Sequence, residues 1–147
     1  MIKSFGYILV AALFLTSCKT GQPAASKQEK PAPAPVLSES LQQKQLNGAD
    51  FFAKGNTPSS WTLEMSFGNS IRFKSLDGTE ANSSAVQPVE VPEKKATSYT
   101  SKATNGEIAV MVYEEGCTDK MSGEKYNKKV VVTINNKQYE GCGQYLF

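Results

Sequence analysis

From Trp61 to Phe67 apolar and polar residues alternate: Trp61, Leu63, Met65 and Phe67 on one face, Thr62, Glu64 and Ser66 on the other. A period of two is the geometry of a strand with one face buried and one wet. Gly68-Asn69 then reads as a tight turn, and Ser70 to Leu76 returns with Ile71, Phe73 and Ser75 inward and Arg72 and Lys74 outward. The same arrangement recurs downstream. Ala96 to Lys102 and Glu107 to Glu114 flank Asn105-Gly106, and Ile108, Val110 and Val112 alternate against Ala109, Met111 and Tyr113. Val-rich Lys128 to Ile134 is joined by Asn135-Asn136 to Lys137–Leu146. Asp77-Gly78 marks a further turn, 79–88 reads as a small polar loop, and Val89 to Pro92 as a weak strand that its prolines confine to an edge. These segments predict an all-β fold of six to eight strands: a small antiparallel meander closing as a barrel or a two-layer sandwich, since an open sheet would leave edges to pair with other chains. The barrel is favoured because no long crossover is visible. Trp61 is expected to anchor the core rather than to form an exposed sugar-stacking platform, and Gly55 and Pro58 to shape the turn before it. The expected interior is Trp61, Leu63, Met65, Phe67, Ile71, Phe73, Ile108, Val110, Val112, Val130, Val132 and Ile134. These side chains are bulky enough to fill an eight-stranded barrel.

Upstream the chain has a different character. Lys3 is followed by an apolar run from Phe5 to Leu15, shorter than the roughly 20 residues that a spanning helix needs. This is the pattern of a secretory signal. It ends at Leu15-Thr16-Ser17-Cys18, which resembles the bacterial lipobox, whose cysteine is acylated and becomes the mature N-terminus. The resemblance implies a signal peptide over 1–17, lipidation at Cys18 and anchoring through two or more acyl chains. Lys19 in place of an Asp resembles outer-membrane sorting, with the domain in the periplasm. Residues 19–36 are rich in Gln, Ala, Lys, Ser and Pro and predict an extended tether. Ser38 to Leu46 reads as two helical turns that Asn47-Gly48 would stop. The expected organisation is therefore a signal at 1–17, a lipidated cysteine and tether at 18–47, and a β domain at 48–147.

Composition narrows the chemistry. The 147 residues contain no His, which excludes His-dependent triads and His-ligated metals. A formal charge of +2 gives no electrostatic case for nucleic acid. With Cys18 assigned to the lipid, Cys117 and Cys142 remain, and in an oxidising envelope compartment they are expected to form a disulfide. They lack the C-x-x-C spacing of a redox pair and are too few for zinc.

The densest cluster is Cys117-Thr118-Asp119-Lys120-Met121-Ser122-Gly123-Glu124-Lys125-Tyr126. Two readings stand. In one, Asp119, Ser122 and Gly123 build turns, Met121 plugs a barrel end and Tyr126 packs. In the other, Asp119, Lys120, Met121, Ser122, Gly123 and Tyr126 form a protruding recognition loop on a rigid scaffold. Asp119 and Glu124 do not define a calcium site, because the regular spacing of such loops is absent. Ser122 has no His to activate it, and Lys120 or Lys125 as its base has no support from position. No metal, cofactor or catalytic residue is expected. Lys94-Lys95 reads as a solvated loop, and Lys128-Lys129 as a strand start with one side exposed.

Two stretches, Phe52-Ala53-Lys54-Gly55-Asn56-Thr57-Pro58-Ser59-Ser60-Trp61-Thr62-Leu63-Glu64 and the Cys117–Tyr126 segment continued by Tyr139-Glu140-Gly141-Cys142, resemble an uncharacterised family of bacterial envelope lipoproteins. That family carries F-x-A-x-G-x-x-P-x-W-x-L-E and C-x-D-x-M-S-x-x-x-Y…G-C segments; here Ser59-Ser60 adds one residue before Trp61. The resemblance implies a small β domain and no particular activity. Ser122-Gly123-x-x-Tyr126 is also similar to the S-G-x-x-Y loop of membrane-bound inhibitors of c-type lysozyme, which implies Ser122 as the residue entering the lysozyme cleft; that family's downstream tryptophan/lysine-glycine segment is missing here. Size and strand pattern resemble META-type envelope domains. The functional expectation is a non-enzymatic outer-membrane lipoprotein acting as a binding module for an envelope protein, with lysozyme inhibition and small-ligand carriage in the barrel as alternatives.

Overall fold

The computed structural model describes residues 37–84 and 87–147. The signal segment, the lipidation assigned to Cys18 and the tether to residue 36 lie outside the described residues.

Most strands pair with a neighbour in sequence, as segments joined by short turns favour. The strands are β1 (Phe51–Thr57), β2 (Trp61–Ser66), β3 (Ser70–Ser75), β4 (Glu80–Ser84), β5 (Val89–Val91), β6 (Ala96–Ala103), β7 (Gly106–Tyr113), β8 (Cys117–Thr118), β9 (Lys125–Tyr126), β10 (Lys128–Ile134) and β11 (Lys137–Tyr145). Nine form one antiparallel sheet in the order β4-β3-β2-β1-β11-β10-β7-β6-β5, and β8-β9 form a separate hairpin. The sheet is two meanders joined where β1 pairs β11, Phe51 opposite Tyr145 and Lys54 opposite Cys142. It curls until β4 meets the edge of β6. The Thr104 N–H donates to Asn82 O at 3.0 Å and Ser101 Oγ to Ser84 O at 3.4 Å, while β5 pairs the first half of the same β6 edge. The result is the expected barrel-like all-β fold.

Turn chemistry sets the registers. Asn135 and Asn136 both take positive φ, as a two-residue hairpin turn matching strand twist requires. The interior holds Phe51, Leu63, Met65, Phe73, Ile108, Val110, Val112, Val130, Val132 and Tyr139, all essentially inaccessible. Trp61 is 2% exposed and stacks on Phe73 at 5.7 Å, and Phe73 meets Tyr139 at 4.8 Å.

Five expectations are corrected, the first being the strand number, which is eleven among the described residues where six to eight are expected. The polar stretch 79–88 contains β4, whose single buried apolar residue, Ala81, is too small to show alternation. β1 was not anticipated: Phe51, Phe52 and Ala53 are all buried, because both faces of the wall are covered there. Phe67 is not an interior residue. It falls in the β2–β3 turn, 40% exposed, and stacks on Tyr99 at 5.8 Å near Phe147. Gly55 lies within β1 rather than in the turn, and a Cβ there would stand 2.7 Å from Trp61 Nε1. Glycine is required at that position so that the indole can lie against the strand.

A second apolar cluster covers the outer wall of β1 and β11. The helix α1 (Glu39–Leu46) lays Leu41 beside Phe52 and Leu146, and the same cluster takes in Ala49, Tyr126 and Cys142. Ser38 occupies the cap position without a side-chain cap bond, and Gly48 at φ +83° ends the turn after the helix. Lys44 secures α1 through Glu64 and sits 4.6 Å from the centre of the Phe52 ring. Among the described residues no helix is long and apolar enough to cross a membrane.

Candidate functional site

Alternation along β1 and β11 sends Lys54 and Cys142 to the outer wall, directly opposite each other. Cys142 forms the expected disulfide with Cys117, Cα atoms 5.4 Å apart, and so brings the β8–β9 hairpin onto that wall. Cys117 pairs with Tyr126 in the hairpin, and the Tyr126 ring is buried in the outer cluster.

Lys54 meets the hairpin from below. Its Nζ donates to Glu124 Oε2 at 2.6 Å and stands 3.3 Å from Asp119 Oδ2 and 5.7 Å from the centre of the Tyr126 ring. Glu124 Oε2 also accepts from Tyr126 Oη at 2.9 Å and Ser122 Oγ at 3.2 Å. Asp119 is 8% exposed, and its other oxygen accepts the Met121 N–H at 2.8 Å. Backbone bonds from Asp119 N to Glu124 O and from Gly123 N to Asp119 O, both 2.8 Å, close the turn. Gly123 takes φ +71°, the left-handed conformation that glycine adopts at least cost.

The electrostatics follow from this geometry. Burial opposes the charge on Lys54, but hydrogen bonds to Glu124, Tyr126 and Asp119 outweigh it and lift its pKa above the usual lysine value. Lys54, with help from Tyr126, holds the Glu124 carboxyl below its ordinary value. Burial pushes Asp119 up, but the Met121 N–H and Lys54 prevail and bring it below 3.8. Burial, reinforced by Glu124, raises Tyr126. A carboxylate held ionised is a weak base for Ser122, and an ammonium held protonated is a poor nucleophile. The two acids converge on a lysine ammonium, and no group of metal-ligating side chains stands among the described residues.

The tip of the hairpin, Asp119 to Ser122, stands between two clefts that share Lys54, Gly55, Asn56 and Asp119. One, of about 260 Å³, is lined by Cys117, Lys120, Lys129 and Glu140. The other, of about 510 Å³, is lined by Trp61, Thr62, Lys74, Leu76, Met121 and Ser122. Both lie at the outer wall and one barrel end, whereas the interior is filled with side chains.

The expected loop residues Asp119, Lys120, Met121, Ser122, Gly123 and Tyr126 are thus gathered in one hairpin, with Asp119 and Tyr126 as its buried feet. Met121 does not plug the barrel: it is 73% exposed, because Asp119 captures its N–H and turns the tip outward. Lys54 and Glu124 were absent from the expected recognition set. Lys54 had no signal, since its strand shows no alternation; Glu124 was visible only as a carboxylate near Asp119.

No family profile, curated protein or solved structure matches the chain.

Proposed function

We propose that this chain is a non-enzymatic binding protein of a bacterial envelope, tethered through lipidated Cys18 to the outer membrane with its domain in the periplasm. In this reading it grips a protein partner with the Asp119–Ser122 ridge. The observation that carries the proposal is the contrast within the ridge. Its feet are fixed by a disulfide, a buried Asp119 and the Lys54 cluster, while Met121 is held 73% exposed and Lys120 projects beside it. An apolar side chain kept in water on a rigid support is what a partner-binding anchor looks like before docking. The absence of an activated base or nucleophile in the ridge supports a binding role over a catalytic one.

The test is photo-cross-linking in intact cells, with a photoreactive residue replacing Lys120 in the full chain and exposed Lys102 on β6 as the control position. The reading predicts a discrete adduct from position 120 alone. Equal labelling from both positions, or none, would remove the ridge as an interface. Inhibition of a c-type lysozyme is a special case, supported by Ser122 standing exposed at the tip. It predicts loss of muramidase activity when the full chain is in excess, and unchanged activity would dismiss it.

A further inference from the structure

The smaller cleft has the disulfide in its wall. Cys117 and Cys142 both line it, together with Lys54, Lys129 and Glu140. The two sulfurs are held on unequal terms. Cys142 is 3% exposed, shares a cluster with Leu41, Phe52 and Leu146, and sits in β11 between β1 and β10. Cys117 is half-buried and belongs to the two-residue strand β8, whose ladder partner is β9. A thiolate arriving through the cleft finds Cys117 the more open sulfur, and Cys117 is also the one whose backbone can move away with its hairpin.

The surroundings of Cys142 suit a leaving sulfur. In the β1–β11 ladder its partner is Lys54, and in the β10–β11 ladder its partner is Lys129. Directly paired residues of antiparallel strands share a face, with Cβ atoms about 5 Å apart. Cys142 thus lies between two lysines on the outer wall. Glu140 opposes them from two positions back on the same face, about 7 Å along the strand. In the intact fold Lys54 is shared with Asp119 and Glu124, and Lys129 stands 3.6 Å from Glu115. Asp119 and Glu124 belong to the hairpin, so they depart with it when Cys117 is released, and Lys54 is left to face the freed sulfur. Nearby cations stabilise a thiolate, and a more stable thiolate leaves faster. The apolar neighbours of Cys142 oppose that charge, and the lysines on both flanks offset them.

We propose that the Cys117–Cys142 bridge is a site of thiol–disulfide exchange, in which the thiolate of a small thiol enters the cleft and bonds to Cys117 Sγ while Cys142 Sγ leaves between Lys54 and Lys129. The thiol first gives its proton to solvent. Its sulfur then forms a mixed disulfide with Cys117, the Cys117–Cys142 bond breaks, and the electron pair stays on Cys142 as a thiolate. The incoming sulfur is oxidised to the disulfide level and Cys142 is reduced, so no other reactant is needed. The pair is not thereby a catalytic dithiol, whose close spacing it lacks; the bridge is the substrate. The consequence is mechanical. The covalent tie from the hairpin to β11 is lost, and the ridge is left to the Lys54 cluster and the packing of Tyr126. The exchange is independent of what the ridge binds.

The experiment uses the full chain with Cys18→Ser, which keeps a third thiol out. It is exposed to excess reduced glutathione at about pH 8, where part of the reagent is thiolate, and quenched with acid at early times. Peptide mass mapping is expected to find glutathione on Cys117 and a free thiol at Cys142. Lys129→Gln should slow the reaction about threefold or more, because the leaving thiolate loses one of its two cations. The slowing should be equal with uncharged β-mercaptoethanol, since the lysine acts on the leaving sulfur and not on the reagent, and Lys129→Arg should restore the rate. In the mixed disulfide the amides of Asp119 and Met121 should exchange faster, while Val110 and Val132 keep their protection. Glutathione on Cys142, an equal mixture on the two cysteines, or no adduct short of denaturant would each overturn the exchange site. A Lys129→Gln rate equal to that of the wild type, or slowed with glutathione alone, would overturn the leaving-group role of the flanking lysines. Ridge amides that stay protected in the adduct would refute the release of the hairpin.

Discussion

The molecule has two apolar clusters, one inside the barrel and one outside it, and they are assembled on different terms. The inner cluster comes mostly from hairpins of strands that are neighbours in sequence, and it is closed by the β7–β10 and β1–β11 pairings and by Phe73 against Tyr139. The outer cluster joins α1, β1, the β8–β9 hairpin and β11, and its fastenings are long-range: Lys54 to Glu124 across 70 positions, and Cys117 to Cys142 across 25. The outer cluster needs the β1–β11 pairing, because only that pairing sets Lys54 beside Cys142. The inner cluster has no corresponding need of the hairpin. The ridge is therefore an attachment on a scaffold that stands without it, and the two regions should come apart under selective perturbation.

The largest effect is expected from the inner cluster. Leu63→Ala should cost about 3–5 kcal/mol, the transfer of the lost methyl groups plus the cavity they leave, and should unfold both regions together in a denaturant titration. Removing the disulfide with Cys117→Ala/Cys142→Ala comes next. Loop-closure entropy puts its loss at about 3 kcal/mol, but the damage should fall on the hairpin, with core amides such as Val110 and Val132 remaining slow to exchange.

Acid sharpens the comparison further. Asp119 and Glu124 both have lowered pKa values in the fold, so the unfolded chain binds more protons in acid. Their contribution is complete above the ordinary carboxylate values and is lost as pH falls through the folded ones. Lys54, raised in the fold, contributes fully below 10.5 and loses its share only as pH rises through its folded value. The Met121 amide signal should therefore hold its position at neutral pH and move only below about pH 4, ahead of the core signals. The smallest effect is expected on the charged outer wall of β2 and β3. Arg72→Ala, which breaks an exposed pair with Glu64, should change stability by less than about 0.5 kcal/mol.

The same division decides how much could be read in advance. β2, β3, β7 and β10 bury one face, so their alternation is visible in the residues. β1 buries both faces at Phe51-Phe52-Ala53 and loses the signature, and β4 has only Ala81 to show for its inward face. Phe67 continues the alternation one step past the end of β2 at Ser66, in the turn that Gly68, at φ +80°, completes. The disulfide and the hairpin residues were legible from cysteine parity and local density. Lys54 was not, because its role depends on a register between two strands more than eighty residues apart. The cleft beside Trp61 was hidden for a related reason: its lining comes from β1, β2, β3 and the Asp119–Ser122 ridge, which only the fold brings together.

Native-state hydrogen exchange on the full chain and on Lys54→Met tests the separation most directly. The amides of Asp119, Met121 and Gly123, all hydrogen-bonded within the ridge, should be protected in the wild type. In Lys54→Met they should exchange markedly faster, while Val110 and Val132 keep their protection. Ridge amides that exchange freely in the wild type, or a Lys54→Met variant in which core and ridge lose protection equally, would contradict a rigid ridge fastened to an independent barrel.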